Sequence, residues 1–292
     1  MRFLITGGAG FIGSNLAKAL DRMGHSVKVI DNFSTGHRDN LIGFKGNVIE
    51  MDMKKLKLRD HFDAIYHFAA ITDPRSEQDM QQNVDNFNLI AKQAEENYAK
   101  LIYASSANLY GNGPIPMREN QAPEIITEYG RSKLEIDQMS KGVGLRFFNV
   151  FGPRESHKGR AASMIYHLAN QMKEGNAPRL FKNGEQIRDH IYVTDCVIAS
   201  ILALKAPLGI YNVGTGIGTS FNELVNILNE ILGTHFQPEY FDMPYDAQTY
   251  QANTHADTII AEKILGFKAL YSLREGIKEY VGGENGYRKK NR

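Results

Sequence analysis

The feature that most constrains this chain is a glycine loop that directly follows a short apolar segment. Residues 2–6 have the pattern of a buried strand, and Gly7, Gly10 and Gly13 follow in the spacing GxxGxxG. Gly7 permits a tight turn, Gly10 lets backbone N–H groups approach a pyrophosphate, and Gly13 lets the next helix pack close to the strand. The loop therefore predicts a strand, a turn and a helix whose N-terminus binds the phosphates of a dinucleotide.

Glycines also make ordinary turns, so the dinucleotide interpretation needs a second signal. An acidic residue at the end of the next apolar run provides it. Residues 27–30 predict a second strand, which ends on Asp31. A carboxylate about 20 residues past the glycines accepts hydrogen bonds from ribose hydroxyls and repels a 2′-phosphate. Asp31 therefore favours NAD. Arg38 follows a few residues later and would attract that phosphate, so NADP stays open as the alternative.

Composition excludes several classes of protein. The 292 residues are 42% apolar, enough for one large α/β unit or two interlocked parts. The net charge of +1 provides no field that would recruit nucleic acid or an acidic membrane. The one cysteine, Cys196, excludes an internal disulfide, and no metal site is expected. No apolar run approaches the roughly 20 residues of a membrane span, and the first strand leaves no room for a signal peptide, so we expect a cytoplasmic protein.

The first half of the chain alternates apolar runs with amphipathic segments. Continuous apolar runs are typical of parallel strands that are covered on both faces. The expected strands are residues 2–6, 27–30, 48–51, 63–68, 101–104 and 143–148, with helices at 16–23 and 78–98. This βαβ rhythm predicts an α/β fold with a doubly wound parallel sheet, the Rossmann arrangement.

The second half is less regular. We expect helices at 161–173, 221–232, 256–265 and 273–280, and short strands at 191–193 and 210–213 that return to the main sheet. The interpretation divides the chain into a dinucleotide-binding domain, a smaller substrate domain and a flexible tail. Their predicted bounds are 1–153 with 189–213, 154–188 with 214–281, and 282–292.

Three polar side chains after the fifth strand predict acid–base chemistry beside a nicotinamide. Ser106 follows that strand, and Tyr129 and Lys133 form a Tyr-x-x-x-Lys whose members share one helix face. A phenol has a pKa of about 10, which a nearby ammonium and a cationic nicotinamide ring would lower. Tyr129 would then take the proton of a substrate hydroxyl, and Ser106 would hydrogen-bond the same oxygen. Such pairs also occur on solvated helices, so the glycine loop and the serine decide between the two interpretations.

With these motifs the chain resembles the extended short-chain dehydrogenase/reductases, specifically the nucleotide-sugar epimerases and dehydratases. The resemblance is carried by residues 6–14, 67–70, 105–111, 129–133, 146–153, 188–195 and 211–216. It implies a Rossmann domain, a smaller C-terminal substrate-binding domain and catalytic roles for Ser106, Tyr129 and Lys133. An acid that such dehydratases usually place after the serine is replaced here by Ala107 and Asn108, so an epimerase is favoured.

The same interpretation assigns the cofactor contacts. The helix start lies at the pyrophosphate, the end of the second strand at the ribose, and the third strand at the adenine. For Asn83, a helix cap is the alternative role. The expected residues are Gly7, Gly10, Phe11, Ile12, Gly13, Asp31, Asn32, Asp52, Met53, Phe68, Ala69, Ala70, Asn83, Tyr129 and Lys133.

One segment narrows the family. Residues 152–164 are similar to a Gly-Pro-Arg-Glu-x-His-Lys-Gly segment of ADP-glycero-manno-heptose 6-epimerases, whose lysine is regarded as a second acid/base. The matching residue is Lys158. Inversion of an exocyclic carbon moves the ketone oxygen away from Tyr129, so a second proton donor suits that chemistry. The alternative is a loop lysine that grips a diphosphate or is simply solvated.

Other positions keep two further functions open. Residues 31–36 resemble nucleoside-diphosphate hexose 4-epimerases, UDP-hexose enzymes among them, in which one tyrosine suffices. Thr249 stands where the heptose enzymes usually carry an arginine, so Asn149, Arg179 and Arg188 are the expected substrate contacts. A non-catalytic dinucleotide-binding protein is the third possibility. For either enzyme we expect a nucleotide-sugar substrate, a retained NAD cofactor and a homo-oligomer.

Overall fold

The computed structural model describes residues 1–72, 79–243 and 250–282 of the chain. The strands in these ranges are β1 (Arg2–Thr6), β2 (Ser26–Asp31), β3 (Asn47–Glu50), β4 (Ala64–His67), β5 (Lys100–Ser106), β6 (Val143–Phe147), β7 (Asn149–Phe151), β8 (Arg179–Phe181), β9 (Ile187–Tyr192), β10 (Gly209–Val213), β11 (Gly218–Ser220) and β12 (Glu239–Phe241). The α-helices are α1 (Phe11–Arg22), α2 (Gln81–Glu96), α3 (Glu128–Met139), α4 (Met164–Lys173), α5 (Val193–Leu202), α6 (Phe221–Leu232) and α7 (Leu273–Val281).

Seven parallel strands form the main sheet, in the order β10-β6-β5-β4-β1-β2-β3. The chain runs outward from β1 to β3 and then returns to pair β4 with the other side of β1. This reversal opens a crevice beyond the carboxyl ends of β1 and β4, where α/β sheets bind their ligands. The predicted doubly wound Rossmann sheet is confirmed.

The sheet is covered on both faces, as its continuous apolar strands require. Phe3 and Ile5 point into a core that α1 and α5 close, whereas Leu4 points into a core that α2 and α3 close. All three side chains are 0% exposed. Because neighbouring strand residues face opposite sides, both faces must be apolar to exclude water.

Most of the predicted elements are present, with shifted ends. All six strands of the first half lie within two residues of their expected positions. The helix expected from residue 161 begins at Met164, because the Ser163 hydroxyl caps it by accepting a hydrogen bond from Tyr166 N at 3.1 Å. The helix expected over 256–265 is a short π-helical turn at Ala261–Leu265. Within the helix predicted at 78–98, residue 78 lies outside the described residues.

One strand assignment is wrong. The segment around Ile191 was expected in the main sheet, yet β9 pairs with β7 and β11 in a separate three-stranded sheet, while β10 does join β6. A short apolar run does not specify its pairing partner, which packing against other elements selects. A second core lies beside this sheet, where α4, α6 and α7 pack around Phe151 and Tyr192. The exact domain bounds stay a prediction, and the expected tail is outside the described residues from 283 onward.

Candidate active site

The structure brings the predicted cofactor residues together in one cleft. The cleft has a volume of about 840 Å³ and lies at the carboxyl ends of β1, β2 and β4. Each of the fifteen residues expected to contact the cofactor lines it, and so do Ser106 and Lys158. A volume of this size suits a dinucleotide, since ligand pockets typically span roughly 300–1,000 Å³.

The glycine loop leaves space that any side chain would fill. Gly7 has a φ of +69°, and a Cβ there would lie 2.5 Å from Ala69 N. A Cβ on Gly13 would lie 2.2 Å from the carbonyl oxygen of Gly7. Gly10 precedes α1 and has no side chain to cap its first turn. The free N–H groups of that turn are therefore available to a pyrophosphate, so the loop fits the phosphates of NAD.

Gly13→Ala tests whether this close packing forms the cofactor site. The methyl group would push the glycine loop off α1, so we expect the free energy of unfolding to fall by about 3 kcal/mol and NAD binding to be lost. Gly24→Ala is the control for NAD binding, because its Cβ would meet nothing within 4 Å. Its φ of +81° costs about 1–2 kcal/mol of stability in an alanine, but NAD binding should be unchanged. Urea unfolding and calorimetric NAD titration measure both quantities. A Gly13→Ala protein that binds NAD normally would contradict the assignment.

Asp31 lines the cleft and is also hydrogen-bonded to the glycine loop. Its Oδ2 accepts a hydrogen bond from Ala9 N at 2.8 Å, and its Oδ1 accepts one from Phe33 N at 2.9 Å. The residue is 8% exposed. Each carboxylate oxygen accepts more than one hydrogen bond, so these contacts orient the group and leave a lone pair on each oxygen for ribose hydroxyls.

Arg38, the residue that would attract a 2′-phosphate, contacts other side chains. The Arg38 guanidinium forms an ion pair with Glu50 and stacks 4.2 Å from the ring centroid of Phe33. Both partners of the ion pair are more than half exposed, so the pair is weak, but it directs the side chain to β3. This arrangement favours NAD.

Asp31→Asn is expected to weaken NAD binding by about tenfold, because a charge-assisted hydrogen bond to the ribose is lost. Without the carboxylate charge, the preference for NAD over NADP should also fall. Calorimetric titration with both dinucleotides measures the change. Asp39→Asn, a control at a side chain that is 73% exposed, should bind as the unmodified protein does. Equal NAD affinity of Asp31→Asn and unmodified protein would remove Asp31 from the site.

Asn83 fixes the wall of the cleft and is not a helix cap. Its Oδ1 accepts a hydrogen bond from Ile71 N at 2.8 Å, and its Nδ2 donates to Ile71 O at 3.0 Å. The pair of bonds holds the segment after β4 against α2. Phe68, Ala69 and Ala70 belong to that segment and line the cleft.

The predicted trio meets where β5 ends. The hydroxyls of Ser106 and Tyr129 are hydrogen-bonded to each other. The Lys133 ammonium lies 5.6 Å from the Tyr129 ring centroid and donates to Ala104 O at 2.8 Å. Thr127 caps α3 by accepting a hydrogen bond from Gly130 N at 3.0 Å, so the helix presents Tyr129 in its first turn.

Burial dominates the acid–base properties of the trio. It raises the pKa of Tyr129 to about 12, while the Ser106 hydrogen bond opposes the shift. Burial also lowers the pKa of Lys133 to about 8, and Asp137 opposes that shift. At neutral pH the phenol is therefore protonated and the lysine is still mainly an ammonium. The expected lowering of the phenol pKa is therefore not found in the protein by itself, in which burial raises the pKa and the group that opposes the shift is Ser106, not Lys133.

Lys158 also lines the cleft, and it belongs to a loop that a buried carboxylate holds in place. Its Nζ is 5.5 Å from the ring centroid of Phe11, and burial lowers its pKa. Glu155, 0% exposed, accepts hydrogen bonds from Gly152 N at 3.0 Å and from the Ser163 hydroxyl at 3.0 Å. The loop is thus fixed at both ends, and Lys158 projects from it to the cleft.

Sequence reasoning missed the contacts that hold the loop of His157 against the glycine loop and α1. Asn40 Nδ2 donates to Ala9 O at 2.8 Å and lies 3.1 Å from His157 Nδ1. Asn15 Nδ2 donates to Pro153 O at 3.0 Å on the same loop. The contacts of Asn40 with His157 and of Asn15 with Pro153 join residues more than 100 positions apart, so no local pattern could have indicated them. His157 itself lines the cleft.

A smaller cavity of about 270 Å³ opens beside Ser106 and Tyr129. Phe147, Phe148 and Gln251 line it and were not predicted. Gln251 Nε2 donates to Gly111 O at 2.7 Å, which brings the segment after residue 249 to the serine turn. The cavity is the space next to the trio where a substrate alcohol fits.

The three expected substrate contacts differ in position. Asn149 lines the smaller cavity and donates to Thr254 Oγ1 at 2.9 Å. Arg188 donates to the carbonyls of Ile187 and Ala252, both at 2.8 Å, and Arg179 stacks on an aromatic ring. Neither arginine lines the cleft or the smaller cavity. Thr249 lies outside the described residues.

Two kinds of feature are absent from the described residues. Neither the ranges 1–72 and 79–243 nor the range 250–282 contains a helix long and apolar enough to cross a membrane. In those same parts of the chain, no group of three or more His, Cys, Asp or Glu residues is arranged to hold a metal ion.

Comparisons with known proteins agree with the fold and the site. The sequence pattern of the NAD dependent epimerase/dehydratase family matches residues 3–214. The ADP-L-glycero-D-manno-heptose-6-epimerase of Brachyspira hyodysenteriae is 34% identical, over 95% of this chain and 96% of that protein. The crystal structure of the Helicobacter pylori ADP-L-glycero-D-manno-heptose-6-epimerase has a TM-score of 0.88 at 39% identity, covering 96% and 95% of the two chains. A UDP-glucose 4-epimerase with UDP-glucose from Thermotoga maritima also has a TM-score of 0.88, at 29% identity and with 97% and 98% covered.

A Rossmann sheet, a glycine cradle and a Ser–Tyr–Lys trio on one cleft define an extended short-chain dehydrogenase/reductase. The chain belongs to the NAD-dependent epimerase/dehydratase family, and the resemblance to nucleotide-sugar epimerases is confirmed. The family is NAD-dependent, in agreement with the cofactor expected from Asp31.

Proposed function

We propose that this protein is an ADP-glycero-manno-heptose 6-epimerase, which inverts the configuration at an exocyclic carbon of a nucleotide sugar. The observation that carries the proposal is that two acid/base groups line one cleft. Tyr129 lies beside Ser106, and Lys158 lies beside Phe11 at the start of α1. The similarity to relatives named as heptose epimerases supports the same choice.

The bound nicotinamide would supply a hydride acceptor that later returns the hydride to the opposite face of the same carbon. The residues of this chain would handle the protons. With the positive charges of Lys133 and of the bound nicotinamide lowering its pKa, Tyr129 would lose its own proton and, as a phenolate, take the proton of the substrate hydroxyl. Ser106 would stabilise the oxygen as it becomes a carbonyl. After the side chain of the sugar rotates, Lys158 donates a proton to the relocated oxygen. Burial lowers the pKa of Lys158, so its ammonium gives up a proton more readily than that of an exposed lysine.

A nucleoside-diphosphate hexose 4-epimerase is the second candidate. The observation in its favour is the fold agreement with the Thermotoga maritima UDP-glucose 4-epimerase, whose TM-score equals that of the Helicobacter pylori heptose enzyme. In such a reaction the whole ring turns over, and Tyr129 would serve both half-reactions. Lys158 would then have no proton to transfer.

A substrate panel decides between the candidates. The purified protein, without added cofactor, would be incubated separately with ADP-D-glycero-manno-heptose, UDP-glucose and UDP-N-acetylglucosamine. Proton NMR of the sugar then reports inversion at each carbon. We expect conversion of the ADP-heptose at C6. Conversion of a UDP-hexose alone would establish the second candidate, and no conversion by a protein that binds NAD would leave a non-catalytic dinucleotide-binding protein.

We also propose that the protein works in the cytoplasm as a homo-oligomer. An NAD cofactor and a nucleotide-sugar substrate suit that location, and helices α2 and α3, which pack side by side, offer a face for a contact between two copies. Light scattering coupled to size-exclusion chromatography measures the mass directly. A mass equal to the 32.8 kDa of one chain would contradict the oligomer.

A further inference from the structure

A buried ion pair lies behind the proposed catalytic trio. Arg146 Nε on β6 donates to Asp137 Oδ2 on α3 at 2.9 Å, and the two side chains are 7% and 3% exposed. Buried charges are costly unless they are paired and hydrogen-bonded on every side. The neighbours of this pair therefore indicate what it does for the protein.

Asp137 ties the helix that carries Tyr129 to the strand that carries Ser106. Its Oδ2 accepts a hydrogen bond from the Ser105 hydroxyl at 3.0 Å, and its Oδ1 accepts one from the Tyr103 hydroxyl at 3.1 Å. Both donors are on β5, and Ser105 directly precedes Ser106. Lys133 is one helical turn before Asp137 on α3 and bonds the carbonyl of Ala104, so three consecutive contacts hold the end of β5.

Arg146 fixes the turn that follows the serine. Its Nη1 donates to the Tyr110 hydroxyl at 2.7 Å and to Glu119 O at 3.0 Å. The Tyr110 hydroxyl in turn donates to Asn212 Oδ1 at 2.7 Å on β10. The network therefore clamps the segment on both sides of Ser106, between α3, β6 and β10.

We propose that Asp137, held by Arg146, is a positioning residue for the catalytic centre: it places an anion behind the Lys133 ammonium and fixes the strand end from which Ser106 meets Tyr129. The inference rests on the proposed acid–base function of that centre. Asp137 and Arg146 line neither the cleft nor the smaller cavity, so they act through Lys133 and Ser106 and not on the substrate.

The charges around Lys133 support this role. The groups that face it are Tyr129 and Asp137 on α3 and His67 on β4, with Arg146 behind Asp137. Burial and the charge of Lys133 lower the pKa of His67 to about 3, so His67 is neutral. Asp137 is then the anion that opposes the loss of the Lys133 proton, and it raises the pKa of that ammonium against the effect of burial.

Asp137→Asn removes the charge and keeps the shape. The amide oxygen still accepts hydrogen bonds from Arg146 and Ser105, and the amide nitrogen meets the Tyr103 hydroxyl. The protein would be labelled with ¹³C at lysine Cε, and the Lys133 signal assigned by its loss in Lys133→Arg. We expect the NMR titration midpoint of Lys133 to fall by about one pH unit in Asp137→Asn. Because the ammonium is the active form, the alkaline limb of kcat should move to lower pH by the same amount.

Three controls separate positioning from general damage. Asp137→Glu keeps the charge and should restore the midpoint, whereas the exposed Asp39→Asn should leave it unchanged. If Asp137→Asn does not fold, Ser105→Ala breaks one contact to β5 without removing charge, and we expect kcat to fall about threefold with KM unchanged. An unmoved Lys133 midpoint in folded Asp137→Asn, or an unchanged kcat in Ser105→Ala, would overturn the inference. A midpoint that shifts in a protein that converts no nucleotide sugar would instead overturn the proposed function.

Discussion

The Tyr129→Phe protein should convert its nucleotide sugar about a thousandfold more slowly than the unmodified protein. The substitution deletes the hydroxyl that is hydrogen-bonded to Ser106, so the group proposed to take the substrate proton is absent. The ring stays, and the fold loses one hydrogen bond, worth about 1 kcal/mol. Turnover would be followed by NMR of the sugar, and stability by urea unfolding.

A matched control isolates the proton-transfer role of Tyr129. Tyr98 is 93% exposed and does not line the cleft. Tyr98→Phe makes the same chemical change at the surface and should leave turnover unchanged. NAD binding by Tyr129→Phe should persist, because the glycine cradle and Asp31 are untouched. If the variant keeps more than about a tenth of the normal rate, Tyr129 is not the general base.

Lys158→Met should lose at least about a hundredfold in turnover of ADP-heptose. The methionine keeps the length of the side chain and its packing beside Phe11 but has no proton to donate. The first half-reaction depends on Tyr129, so the near-ultraviolet absorbance of reduced nicotinamide should still appear when substrate is mixed with the variant. Stopped-flow absorbance and NMR of the product measure the two halves separately.

The control for Lys158 is another lysine on the surface. The side chain of Lys141 is 86% exposed and forms a long 3.8 Å ion pair with Glu95, so Lys141→Met should have normal turnover. Full activity of Lys158→Met on ADP-heptose would contradict the two-base scheme. If the preferred substrate is a UDP-hexose, the variant should remain active, in agreement with the second candidate.

Local patterns predicted the parts of the site that are close in sequence. The strand and glycine loop of residues 2–13 form as expected because turn, helix start and strand are contiguous, and each residue acts through its immediate neighbours. Tyr129 and Lys133 meet because a helix puts residues four apart on one face. The end of β2 places Asp31 beside this loop, since parallel strands end at the same edge of a sheet.

Contacts between different helices, strands and loops could not be predicted in the same way. His157 lies against Asn40, and Arg146 pairs with Asp137, only after the sheet has been assembled. β9 was placed in the wrong sheet because its apolar run fits either one. The two arginines expected at the substrate lie outside both cavities, since a sequence shows the charge of a side chain but not the direction in which it points.

The sequence alone determined the class of fold, the glycine cradle and the residues proposed for the catalytic trio, because these depend on backbone freedom, helix periodicity and strand order. The tertiary structure alone decided the proton affinities of the site. Burial raises the pKa of Tyr129 to about 12 and lowers that of Lys133 to about 8, and Lys158 shifts downward for the same reason. The free energy of a charge depends on how much water surrounds it, and the packing of distant segments sets that amount.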